Sequence, residues 1–320
     1  MKVFSNAITY ADTRDMSREE WLDARRNGIG GSDASAIMGL NPYSSPLRVY
    51  LDKLGQIDEK ETSEAMRQGV DLEQYVADRF VEALGKKVKK CNKILRHRDY
   101  PWMLANIDRA IVGENAGLEC KTTSAYSKFD FEDGEINPHY YWQAMHYLAV
   151  TGADSWYVAV LVLGKSFHIF QIGRDEAAIS NLINAEREFW EEHVMVKVPP
   201  LPTGNDADDE ALDAMYPQGD GTGEAVELDG NMESMLDLRA LKVAQRDKVQ
   251  DEIDEIDQRI KASLGEHERA ISGVWDVRWT NTNTSRIDTK ALRQKYPEIA
   301  AEVTTTKPGR RFSVKRVKEA

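Results

Sequence analysis

The chain has 320 residues, 41% hydrophobic and 30% charged, with a formal net charge of −12. That is long enough to bury a sizeable core in more than one domain, and the composition is that of ordinary globular proteins. No apolar run reaches the length of a membrane span, the first residues lack a leader-like apolar core, and the two cysteines, Cys91 and Cys120, exclude a disulfide framework and a four-cysteine iron–sulfur site. A cytoplasmic protein with no membrane attachment is therefore expected.

Residues 1–19 read as a lead-in, with Ser17-Arg18-Glu19-Glu20 as a capping box. Two helices are expected over 20–55, around the turn Gly28-Ile29-Gly30-Gly31. A long helix follows from Ser63 to Leu84, stopped by Gly85. Strands are expected near 88–95, 102–112, 116–122, 155–163 and 166–172. Helices are expected at 138–151 and from Arg174 to His193. This order predicts an α/β fold, a mixed central sheet flanked by helices, over residues 1–198. Residues 199–230, rich in Asp, Gly and Pro, read as a linker.

Residues 231–320 read as an extension. Val249, Ile253, Ile256, Ile260 and Leu264 form a narrow apolar stripe on one helix, interrupted upstream by Lys242 and Gln245, which predicts local packing rather than a long coiled coil. After it, a strand at Val274–Trp279, a turn, a helix from Thr289 to Tyr296 and a last strand at Arg311–Val317 predict a small ββαβ unit. Its alternating Trp275, Val277 and Trp279 are expected in a core, with DNA contact as the alternative.

The acidic excess is local. Residues 201–268 hold 19 acidic and 6 basic side chains, whereas 269–320 hold 5 and 12. Lys86, Lys87, Lys89, Lys90, Lys93, Arg96 and Arg98 form an acid-free basic stretch, and the tail over 307–318 is another. Local patches of this kind, rather than net charge, set phosphate affinity, although each alone also fits a solvated edge.

The most informative text is Leu104–Val112 followed, after a short turn, by Gly117-Leu118-Glu119-Cys120-Lys121. It reads as a β-hairpin, with Glu119 and Lys121 on one face, Cys120 on the other, and Asp108 brought near from the partner strand. Two carboxylates beside an ammonium suit a hard divalent cation and a water nucleophile; a solvated salt-bridge face is the plain alternative. Downstream, Tyr140–Leu148 reads as a helix carrying one polar Gln143 among aromatics. The six histidines show no zinc-ligand spacing.

The order Glu73, Asp108, Glu119-x-Lys121, Gln143 resembles the PD-(D/E)xK nuclease superfamily. Within it the chain resembles the YqaJ-type viral recombinases, relatives of phage lambda exonuclease. Arg26–Ser35, Gln68–Glu73 and Tyr140-x-x-Gln143 are similar to that family's N-terminal, G-x-x-x-E and C-terminal motifs. The resemblance spans about residues 20 to 195. Arg109 stands where lambda-type members often have glycine, a departure expected to touch turn shape more than chemistry.

The resemblance implies a restriction-endonuclease-like core and a metal-dependent DNA exonuclease. It would resect linear duplex ends, 5′ to 3′, in phage-type homologous recombination. It implies Mg²⁺, or alternatively Mn²⁺, held by Asp108, Glu119 and the carbonyl of Cys120. Lys121 would orient water and stabilise charge, Glu73 would support a second ion or its water, and Gln143 would orient these groups. Arg26 and Ser32 would hold a 5′ phosphate, with Asp33 capping the helix. Implied partners are double-stranded DNA ends, a single-strand annealing protein and further copies of the chain. An endonuclease or repair nuclease of the same superfamily, or a non-catalytic DNA-binding subunit, are the alternatives.

Overall fold

A computed structural model describes residues 4–58, 62–127, 129, 131, 133–306 and 309–317. The chain forms two units, one from residues up to Gln218 with the segment from Arg310, the other from Gly219–Gly309.

The first unit begins with β1 (Ala7–Asp12), α1 (Arg18–Arg26), α2 (Gly31–Ile37), α3 (Pro46–Lys53) and α4 (Glu64–Leu84). Then come β2 (Val88–Lys90), β3 (Lys93–His97), β4 (Leu104–Asn106), β5 (Arg109–Ile111) and β6 (Ala116–Thr123). It continues with α5 (Pro138–Thr151), β7 (Ser155–Val162), β8 (Ser166–Gly173), α6 (Glu176–Phe189), a π-helical turn over Trp190–Met195, and α7 (Asp206–Met215). Local chemistry sets several boundaries. The Ser17–Glu20 capping box forms, and Ser63 caps α4, whose end Gly85 closes at φ 67°, a left-handed conformation that costs glycine little.

A five-stranded sheet runs β2-β5-β6-β7-β8. Its β6 and β7 are parallel and the other pairs antiparallel. A parallel pair needs a crossover, and α5 supplies it. Alternation along β7 divides the core. Trp156, Val158 and Val160 pack with Ala144, Met145 and Leu148 of α5. Tyr157 and Ala159 pack with Val76, Ala77 and Phe80 of α4. The mixed sheet flanked by helices is thus the fold that the alternation of apolar strands and helices predicts.

Several details differ from the sequence reading. The lead-in contains β1, which joins β3 and β4 in a second, antiparallel sheet. Three helices, not two, fill the region up to residue 55. The strands expected at 88–95 and 102–112 are each broken: β2 and β5 pair in one sheet, β3 and β4 in the other. The breaks fall at Cys91 and Asp108, where the Cys91 N–H donates to the Asp108 carbonyl at 3.2 Å. The expected linker over 199–230 begins with a docked helix, so the first unit extends past 198. Ala211 of α7 is buried in a cluster with Leu47 and Leu51 of α3, Arg48 meets Glu210 at 2.9 Å, and Asn205 Nδ2 donates to the Asn41 carbonyl at 2.9 Å.

The second unit consists of α8 (Gly230–Leu264), a hairpin of β9 (Arg269–Ser272) and β10 (Trp275–Arg278), α9 (Thr289–Lys295) and α10 (Pro297–Glu302). The final strand of the expected ββαβ unit does not form: among residues 309–317 there is no strand. The rest of the expected basic tail, residues 307, 308 and 318, lies outside the described residues. The aromatic stripe is not core either, since Trp275 and Trp279 are exposed. A two-stranded hairpin has too little sheet to cover its own large side chains.

Candidate active site

The hairpin ladder between β5 and β6 stops at Arg109–Leu118. Beyond it the β5-side edge of β6 is open, and the side chain of Asp108 fills it: Cys120 N–H donates to Asp108 Oδ2 at 2.7 Å. In an extended strand the N–H and C=O of one residue face the same edge, so the Cys120 carbonyl also faces Asp108. The Cys120 side chain packs instead with the α4 cluster, and burial together with the nearby carboxylates raises its thiol pKa.

Glu119 and Lys121 share the opposite face. Lys121 Nζ donates to Glu119 Oε1 at 2.8 Å, and Gln143 Nε2 donates to the same oxygen at 2.7 Å and to the Tyr147 hydroxyl oxygen at 2.9 Å. Glu119 is only 6% exposed, yet its Oε2 has no hydrogen-bond partner among the described residues. Tyr140 places its ring 5.3 Å from Lys121 Nζ. Burial disfavours the Lys121 ammonium, but Glu119 and Asp108 raise its pKa above the ordinary value. It stays a cation. Burial and that same cation push His139 down to about 4, so His139 is neutral near pH 7.

Asp108 is pushed well above the usual carboxylate range, by burial and then by the charge of Glu119, against the Cys120 N–H and Lys121. Two crowded carboxylates and an oxygen without a donor make a donor set of the kind that hard cations such as Mg²⁺ and Mn²⁺ take. Asp108, Glu119 Oε2 and the Cys120 carbonyl are the groups that would hold one. Among the described residues no three His, Cys, Asp or Glu side chains gather into a metal cluster, so water or substrate oxygens would complete the shell.

This arrangement has a measurable consequence in metal-free protein. A carboxyl whose folded pKa is raised contributes most when protonated, and that stability is lost as pH rises from the unfolded carboxylate range through the folded value. In the presence of chelator, Asp108→Asn is expected to melt higher than wild type at neutral pH and to flatten that part of the pH profile. An unchanged or lower melting temperature would contradict the crowded-carboxylate picture.

Glu73 lies at the edge of this site but is already paired. Arg109, itself buried, reaches Glu73 Oε1 at 2.5 Å and Gln74 Oε1 at 3.1 Å, and Lys90 Nζ lies 3.8 Å from the same Glu73 oxygen. Arg109 therefore does more than shape a turn: it neutralises Glu73 and ties α4 to β5.

The glycine-rich turn is stitched to β4, with Ile29 N–H donating to the Trp102 carbonyl at 2.6 Å and Leu104 N–H to the Ile29 carbonyl at 2.8 Å. The α2 backbone then meets α5. A Cβ on Gly31 would lie 2.7 Å from the Tyr147 ring and 3.0 Å from Gln143 Cγ. Asp33 caps the turn as expected, accepting from Gly30 N–H at 2.8 Å. Burial opposes its charge, but Lys53, at 2.6 Å, and Arg25 hold its carboxyl below the usual range.

Arg26 and Ser32 are not brought together. Arg26 turns to Asp23, at 3.1 Å. Arg25 instead donates to Ser32 Oγ at 3.3 Å, its guanidinium lying 4.6 Å from the centre of the Trp21 ring. Trp21 and Arg25 are four apart in a helix, and that spacing was the available sequence signal.

The family description YqaJ-like viral recombinase domain matches residues 20–154. Over 314 residues the chain is 39% identical to the protein YqaJ of Bacillus subtilis (strain 168), across 97% of this chain and 98% of that protein. The chain belongs to the YqaJ family. Two solved structures are similar to part of this chain. One is the alkaline exonuclease LHK-Exo from Laribacter hongkongensis, 20% identical over 54% of this chain and 91% of that one, with a TM-score of 0.47. The other is a phage related exonuclease from Haemophilus somnus 129PT, 13% identical over 53% and 96%, with a TM-score of 0.42. Among the described residues no helix is long and apolar enough to cross a membrane.

Proposed function

We propose that this protein is a divalent-metal-dependent deoxyribonuclease, an exonuclease that resects linear duplex DNA ends 5′ to 3′ and leaves 3′ strands for a single-strand annealing protein. The observation that carries the reading is the buried Glu119 carboxylate. One oxygen accepts from Lys121 and Gln143, the other has no donor among the described residues, and the carboxylate is near enough to Asp108 to raise its pKa. Glu186 also leaves one buried oxygen without a partner, so what points to a cation at Glu119 is the second carboxylate, Asp108, crowded against it.

A bound Mg²⁺ would supply charge neutralisation at the scissile phosphate and lower the pKa of a coordinated water. The protein's own groups do the rest. Lys121, held protonated, orients water and meets charge that develops on phosphate oxygens, so proton abstraction is not its role. Gln143 fixes Glu119 from α5, and Tyr147 fixes Gln143. Arg25 and the Ser32 hydroxyl form the pair that would receive a terminal 5′ phosphate, in place of the Arg26 and Ser32 pair expected from sequence.

The test uses linear duplex labelled separately at 5′ and 3′ ends, with circular duplex alongside, in Mg²⁺, Mn²⁺ and chelator. Loss of the 5′ label from linear DNA only, and only with metal, is expected. Cleavage of circles would make the protein an endonuclease, and binding without cleavage in either metal would make it a non-catalytic subunit. The end pocket has its own measurement. A charge-assisted hydrogen bond is worth about 1.5–3 kcal/mol, so Arg25→Ala is expected to shrink the preference for 5′-phosphorylated over 5′-hydroxyl duplex by about tenfold. Arg26→Ala should leave that preference in place, and the reverse result would restore the sequence-based assignment.

A further inference from the structure

Single exposed apolar groups are ordinary on a protein surface. The stripe of α8, expected to pack locally, lies open, with Val249, Ile253, Ile256 and Ile260 each 40–55% exposed, and nothing among the described residues says what covers it. Tyr43, in the loop between α2 and α3, is a different case. It is 72% exposed, yet it is fixed from two sides and adjoins the candidate active site.

The first anchor is α2. The Tyr43 N–H donates to Asn41 Oδ1 at 2.9 Å, and Asn41 Nδ2 donates to Ser35 Oγ at 3.2 Å and to the Ser32 carbonyl at 3.4 Å. The second anchor is α5. The Tyr43 ring meets His139 edge-on, at 88° with centroids 6.2 Å apart, and Asn137, the α5 cap, fixes that imidazole by accepting from its Nδ1 at 2.8 Å. His139 in turn lies 4.1 Å from the Tyr140 ring, and Tyr140 lies 5.3 Å from Lys121 Nζ. Exposure rises along this row, from buried Tyr140 through half-buried His139 to open Tyr43.

An edge-on contact occupies at most one face of the Tyr43 ring. The open face offers no charge to a phosphate, and the phosphates have their own groups: Arg25 and Ser32 at one end, Lys121 and the carboxylates with their cation at the other. A nucleotide's base is attached between its two phosphates, and Tyr43 is tied to both ends of that interval. An aromatic face there suits a base of any identity, since every base has a π-face.

We propose that Tyr43 is the platform on which the base of the 5′-terminal nucleotide stacks, holding that nucleotide in place while its 3′ bond is cut at Lys121. The inference rests on the exonuclease reading above and makes Tyr43 a residue that positions the substrate.

The experiment measures binding of end-labelled, 5′-phosphorylated linear duplex to the full chain in Ca²⁺. Tyr43→Ala is expected to raise Kd on the order of tenfold. Tyr43→Phe keeps the face, loses only the hydroxyl and should stay within a few-fold of wild type. On a duplex whose 5′-terminal nucleotide is abasic, wild type and Tyr43→Ala should bind alike, because the group that Tyr43 meets is gone. Three results would each overturn the inference and leave the exonuclease reading standing: Tyr43→Ala as tight as wild type on intact DNA, Tyr43→Phe as weak as Tyr43→Ala, or a loss in Tyr43→Ala that persists on the abasic duplex. Wild type that binds no linear duplex end would overturn both.

Discussion

Lys121→Ala is expected to lower single-turnover cleavage of 5′-phosphorylated duplex by about 10²–10³, the usual cost of removing one preorganised electrostatic contact. Duplex affinity, measured in Ca²⁺, should change only a few-fold, because one phosphate contact among many contributes modestly to binding. The geometry behind this is specific. Lys121 is anchored by Glu119 Oε1 at 2.8 Å, and its charge is reinforced by both carboxylates. Equal losses in rate and affinity would make it a binding residue, and unchanged cleavage would remove the site from the mechanism.

The second large effect is on stability. His146 and Glu186 are fully buried, with His146 Nδ1 2.7 Å from Glu186 Oε1 and Nε2 donating to the Leu104 carbonyl at 2.8 Å. A carbonyl can only accept, so Nε2 carries a hydrogen and the pair fastens α5 to both α6 and β4. Removing one partner strands a buried polar group and costs about 3–5 kcal/mol. His146→Ala is therefore expected to lower the melting temperature by about 6–20 °C, at about 2–4 °C per kcal/mol for a unit of this size. Replacing both, as in His146→Leu/Glu186→Met, should cost less than the single change, since no buried carboxylate is then stranded and only the Leu104 carbonyl loses its partner. A thermal melt of the three proteins decides it. A single variant within about 1 kcal/mol of wild type would mean the pair is solvated or dispensable.

What could be read from the sequence was what neighbouring residues decide. Ser17 with Glu20, Ser63 and Gly85 marked their helix ends, and alternation placed Glu119 and Lys121 on one face with Cys120 on the other. The breaks at Cys91 and Asp108 were not legible, because only the pairing of distant strands shows where one sheet yields to the next. Arg25 and Arg26 point about 100° apart on their helix. Composition cannot say which direction is inward, and Ser32 seven residues away settles it for Arg25. The Arg109–Glu73 pair joins elements 36 residues apart in the chain, beyond any local pattern. Trp275 and Trp279 show the opposite failure, with correct alternation along a hairpin that offers nothing to cover them.

The contact of Gly31 with Gln143 and Tyr147 leaves no room for a side chain, so the segment bearing Ser32 and the helix bearing Gln143 form one rigid gauge. In an exonuclease that holds a terminal phosphate at one end of this gauge and breaks a bond at the other, step length belongs to the protein. The same number of nucleotides would be released in each cycle, whatever the base sequence, and a bulkier residue at position 31 would alter product size before it altered rate.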